Sequence, residues 1–88
     1  MLTKLMEITV YAHRDDPYSD MLKNLLRYYD VSYDTIEVSR DNNAFETMQD
    51  ISGQDKTPVL VVDDKVFVGF DREKIKEILE LPPDQPQT

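Results

Sequence analysis

Apolar and polar positions alternate through Met6-Glu7-Ile8-Thr9-Val10-Tyr11-Ala12, the period of a strand that buries one face. Met6, Ile8, Val10 and Ala12 share that face, while Thr9 and Tyr11 point the other way. After the polar loop His13-Arg14-Asp15 the period changes. Asp16-Pro17 pairs a good cap with a proline in the first helical position, and Met21, Leu22, Leu25, Leu26 and Tyr29 then recur at three- and four-residue spacing. This predicts a helix to Tyr29 or Asp30 with those five residues as its buried stripe. Tyr33 to Val38 alternates again, so a second strand follows, parallel to the first through a right-handed crossover. Asp41 or Asn42 caps a second helix with Ala44, Phe45, Met48 and Ile51 inward, and Gly53 stops it. Val59 to Val62, the turn Asp63-Asp64 and Lys65 to Val68 read as a hairpin. Asp71 caps a last helix carrying Ile75, Ile78 and Leu79, and Leu81-Pro82-Pro83 ends it.

Strand, helix, strand, helix, hairpin, helix is an α/β layer arrangement that several small folds share. The chain of 88 residues is one domain's worth, read as residues 1–80 followed by a Pro-rich polar tail over 81–88. Acidic residues outnumber basic ones 18 to 10 and the net charge is −8. Such a field repels phosphate backbones and anionic bilayers, and the basic residues are dispersed, so neither nucleic acid nor membrane is expected as a partner. Met1 to Met6 lack the apolar run of a signal peptide, so the expected location is cytoplasmic. Cysteine is absent, which removes disulfides, thiolate metal sites and iron–sulfur ligation together.

Three motifs narrow the choice of fold. Val10-Tyr11-Ala12-His13-Arg14-Asp15-Asp16-Pro17-Tyr18-Ser19 resembles the first strand and active-site turn of glutaredoxins, members of the thioredoxin superfamily, where Cys-Pro-Tyr-Cys stands in place of Asp16-Pro17-Tyr18-Ser19. Thr57-Pro58-Val59 resembles the family's cis-proline turn, and Val66-Phe67-Val68-Gly69-Phe70-Asp71 its glycine turn into the last helix. The resemblance runs from Met6 to Glu80. It implies a thioredoxin/glutaredoxin-like fold, β-α-β-α-β-β-α, with a four-stranded mixed sheet flanked by three helices. It also implies a peptide- or glutathione-binding groove at Arg14, Asp16, Tyr18, Thr57, Pro58, Asp71 and Arg72, with Lys56 near by.

The departure from the motif decides the chemistry. Thiol–disulfide exchange needs an attacking thiolate and a resolving thiol; Asp16 and Ser19 supply neither, so these are degenerate positions and no catalytic residue is assigned. Asp16 is read first as a helix cap and second as a fixed mimic of the thiolate. Ser19 admits a weak glutathione-transferase reading, although the helical second domain of those enzymes is missing. His13, Asp16 and Ser19 hold the residue types of a hydrolase triad without any sign of an oxyanion hole. His13, Asp15, Asp16 and Asp20 read as a solvated acidic loop rather than a metal site. Tyr11 is expected in the core, Tyr18 at the surface, and Tyr28-Tyr29 as surface plus core. No cofactor and no metal are expected. The preferred expectation is a redox-inactive binding or regulatory module for a protein or peptide, with non-covalent glutathione binding as the alternative.

Overall fold

The computed structural model describes residues 6–82. Its sheet has the order β2-β1-β3-β4, with β1 at Ile8–Ala12, β2 at Asp34–Glu37, β3 at Val59–Val62 and β4 at Lys65–Val68. The β1 and β2 strands are parallel, Thr9 facing Asp34, whereas β1–β3 and β3–β4 are antiparallel. The sheet is therefore mixed. The crossover from β1 to β2 is α1 (Pro17–Tyr28), α2 (Asn42–Ser52) joins β2 to β3, and α3 (Arg72–Ile78) follows β4. This is the architecture that the resemblance implied.

The strand period places the core on both faces of the sheet. On one face Ile8, Val10, Ala12, Leu60 and Val62 meet Leu22, Leu25 and Leu26 of α1 and Ile75 of α3. On the other, Tyr11 and Val59 meet Val38 and Met48 of α2. A central strand covered on both sides needs apolar side chains at successive positions, which is why Val10, Tyr11 and Ala12 are all buried.

Each helix opens on an aspartate. Asp16 accepts the Tyr18 amide, Asp41 the Ala44 amide and Asp71 the Lys74 amide, so one otherwise orphan N–H is satisfied in each first turn. The ends of α1 and α3 use residues other than glycine in the left-handed region: Asp30 at φ 60° and Glu80 at φ 57°. In each case the next amide returns to the helix, Val31 to the Leu26 carbonyl and Leu81 to that of Lys76, both at 2.8 Å.

Four sequence expectations need correction. Met21 is 45% exposed instead of belonging to the buried stripe, because Leu22, Leu25 and Leu26 fill the narrow arc of α1 that faces the sheet. Ile51 is 40% exposed, since only Met48 of α2 reaches full burial and the helix ends beyond it. The last helix stops at Ile78, ahead of the prolines, where Glu80 turns left-handed. Leu81, assigned to the tail, packs against the larger core cluster. The tail reading for 83–88 and the reading of residues 1–5 lie outside the described residues. Among the described residues no helix is long and apolar enough to cross a membrane.

Candidate functional site

Strand β1 delivers the chain into the loop His13–Asp16, whose turn is closed by the Asp16 amide donating to the His13 carbonyl at 3.0 Å. Proline at the first helical position then starts α1, which sets Asp16 at its N-terminus and Ser19 inside its first turn. Ser19 is fully buried. Its hydroxyl donates to Asp16 Oδ2 at 3.1 Å and accepts the His13 amide at 3.2 Å.

From the other side comes the segment that enters β3. The Thr57–Pro58 peptide bond is cis, and the Thr57 hydroxyl donates to the same Asp16 Oδ2 at 2.6 Å, across 41 residues of sequence. Oδ2 thus receives two hydroxyls while Oδ1 receives the Tyr18 amide at 3.0 Å. Burial alone would push the Asp16 carboxyl up, but the hydrogen bonds from Thr57, Tyr18 and Ser19 outweigh it and hold the group below its ordinary 3.8. Asp16 is a charged brace between the start of α1 and the cis-proline segment. Pro58 is buried behind it, and its carbonyl accepts the Gly69 amide at 2.8 Å, which ties the turn ahead of α3 to the same place.

The glutaredoxin family model matches residues 8–67, from β1 through the first three residues of β4. The chain belongs to the glutaredoxin family. Among relatives of this glutaredoxin-family chain, an uncharacterized glutaredoxin-like 8.6 kDa protein in the rubredoxin operon of Clostridium pasteurianum is 26% identical over 73 residues, which are 83% of this chain and 97% of that one. A crystal structure of a mutant of the thioredoxin-like protein BC3987 superposes with a TM-score of 0.81 at 30% identity, over 86% of this chain and 97% of the other. The glutaredoxin from Archaeoglobus fulgidus gives 0.77 at 25% identity, over 85% and 87%. Within that family this member has no cysteine, so positions 16 and 19 offer no thiol.

The sequence-derived residues of this glutaredoxin-family domain separate into two groups. Asp16, Ser19, Thr57 and Pro58 are brought together at one node, with Tyr18 contributing its amide while its side chain stays 55% exposed. Arg14 is exposed, and its amide donates to Glu37 Oε2 at 2.8 Å. Asp71 spends its carboxylate on capping α3, and Arg72 pairs with Glu73 at 3.8 Å. The His13 ring accepts the Asp15 amide on Nδ1 at 3.0 Å, while the Ser19 hydroxyl turns to Asp16. The three residue types of a hydrolase triad are therefore not joined in a Ser–His–Asp relay. Among the described residues no three His, Asp or Glu side chains are gathered as a metal site.

Glu37 was not singled out from sequence. Burial acts to raise its carboxyl, yet the Ser39 hydroxyl and the amides of Arg14 and Ser39 hold it below its ordinary 4.5. It anchors the His13–Asp16 loop from the end of β2. Its signal in the sequence was an acid closing a strand beside a polar loop, a pattern too common to single out.

Proposed function

We propose that this cysteine-less member of the glutaredoxin family is a binding module that holds a peptide segment of a partner protein at the surface formed by Arg14, Asp16, Tyr18, Thr57, Pro58, Asp71 and Arg72, without thiol chemistry. The observation that carries this reading is the Asp16 node. The two positions where thiol exchange needs sulfur hold a carboxylate and a serine that bond to each other, and the carboxylate bonds to Thr57 as well, so the turn is kept in shape while its reactive atoms are gone. A rigid turn with an exposed Tyr18 beside it favours binding, because little ordering remains to be done when a partner arrives. Strand addition along the Thr57 backbone is the mode of recognition proposed.

Glutathione is the smallest peptide probe of that groove. In an amide NMR titration of the labelled chain with reduced glutathione, the reading predicts saturable shifts clustered at 14–19, 56–59 and 71–72. An absence of shifts at millimolar glutathione overturns the groove. Transferase chemistry through Ser19 gains no support from its position, since the hydroxyl is buried and already has two partners.

A further inference from the structure

Four consecutive amides, His13 to Asp16, carry the chain from β1 into α1, and each has a different acceptor. The Ser19 hydroxyl takes the His13 amide at 3.2 Å and Glu37 Oε2 takes that of Arg14 at 2.8 Å. His13 supplies the other two acceptors, its Nδ1 for the Asp15 amide and its carbonyl for the Asp16 amide, both at 3.0 Å. No amide of this loop is left over, so the four acceptors together fix its shape. Three of them keep their character around neutral pH. A hydroxyl and a carbonyl do not titrate there, and Glu37 titrates below its ordinary 4.5. The fourth does not keep it. An imidazole nitrogen accepts only while it carries no proton, and a protonated ring is a donor at both nitrogens. Protonation therefore turns the Nδ1 contact with the Asp15 amide from a hydrogen bond into two N–H groups aimed at each other.

His13 is the one histidine of the chain, and it is half-buried at this loop. The titratable and charged groups around it are Arg14, Asp15 and Asp16 of the loop itself and Glu37 at the end of β2, which lies near enough to feel a charge on the ring. From α1 the contact is the uncharged Ser19, and the cis-proline segment reaches the loop through the uncharged Thr57. A protonated ring thus loses one contact and has another to go to. We infer that His13 is a proton switch for the loop 13–16: the neutral ring holds the Asp15 amide, and the protonated ring releases it and turns toward Glu37. Asp15 directly precedes the Asp16 brace, so its release loosens the side of the groove formed by Arg14, Asp16 and Tyr18. Peptide binding there weakens as pH falls through the range in which histidine gains its proton. That consequence rests on the groove reading above, whereas the switch itself does not.

The test is an NMR titration of the labelled full chain from about pH 7.5 to about pH 5, following the His13 ring nitrogens and the backbone amides. At the upper end the ring proton is expected on Nε2, with Nδ1 bare. On acidification the Asp15 amide is expected to move with the ring at a common midpoint. His13→Gln, which does not titrate, is expected to remove that step while the amides of β1 and α1 stay in place. Reduced glutathione is then added at both ends of the range, within which its own amine and carboxylates keep their charge. Its affinity is expected to be about fivefold lower at the acid end for the natural chain, the worth of one hydrogen bond, and equal at both ends for His13→Gln. A proton on Nδ1 at neutral pH, or an Asp15 amide that does not follow the ring, overturns the switch. Equal glutathione affinity at both ends in the natural chain overturns its control of the groove. Silence toward glutathione at both ends, with Asp15 still following the ring, supports the switch and removes the groove reading alone.

Discussion

Replacing Asp16 with alanine removes a side chain that hydrogen-bonds both to the start of α1 and to the cis-proline segment. The lost helix cap costs about 1 kcal/mol. The Ser19 hydroxyl is fully buried and loses its acceptor, and a buried donor left unpaired costs about 1–3 kcal/mol. Thr57 is half-buried, so its hydroxyl turns to water and adds little. The expected loss is about 2–4 kcal/mol, a large part of the roughly 5–15 kcal/mol that holds a domain folded. Asp16→Asn should fall between the two, because the amide oxygen still caps the helix and the amide group can donate to the two hydroxyls, but without charge. Urea unfolding of Asp16→Ala, Thr57→Val and the double variant gives the Asp16–Thr57 coupling directly. A charge-assisted bond at 2.6 Å predicts a coupling of about 1 kcal/mol or more. An Asp16→Ala loss inside about 0.5 kcal/mol, the range of ordinary surface changes, refutes the brace, as does a coupling indistinguishable from zero.

The same bonds set a pH dependence. Asp16 and Glu37 both titrate lower in the folded chain than in the unfolded one, so between the two pKa values the unfolded state binds more protons and stability rises with pH. Their contribution is complete above the ordinary carboxylate range and lost as pH falls through the folded values; unfolding midpoints measured from neutral pH to acid should show this fall, and Asp16→Asn should flatten it. Met48→Ala should cost about 2–5 kcal/mol by opening a cavity under α2, whereas Met21→Ala, at an exposed position, should stay within about 0.5 kcal/mol in the same assay. Asp71→Ala should cost about 1 kcal/mol by uncapping α3, with thermal unfolding as the readout.

Much of the fold was legible because short periods carried it. Alternation in Ile8–Ala12 and three- and four-residue spacing behind Asp16-Pro17 define β1 and α1, and Asp41 and Asp71 mark the other two helix starts. Periodicity cannot say how wide an arc of a helix the sheet will cover, which is why Met21 and Ile51 were placed inside. Nor does it show a left-handed stop made by a residue other than glycine, so the end of α3 at Ile78, with Glu80 left-handed just beyond it, was hidden behind the prolines. At the site, the pairing of Asp16 with Ser19 is local, three residues apart in one helical turn, and the motif drew attention to both. The contribution of the Thr57 side chain was not visible, because it depends on a contact between segments 41 residues apart.

The claim at the centre of this account is that the glutaredoxin turn is intact and only its sulfur is missing. Glutathione-dependent reduction of a mixed disulfide, measured side by side for the natural chain and for Asp16→Cys/Ser19→Cys, tests it most directly. The account predicts no turnover above background for the natural chain and clear turnover for the double variant. Turnover by the natural chain, or a folded double variant that stays inert, contradicts it.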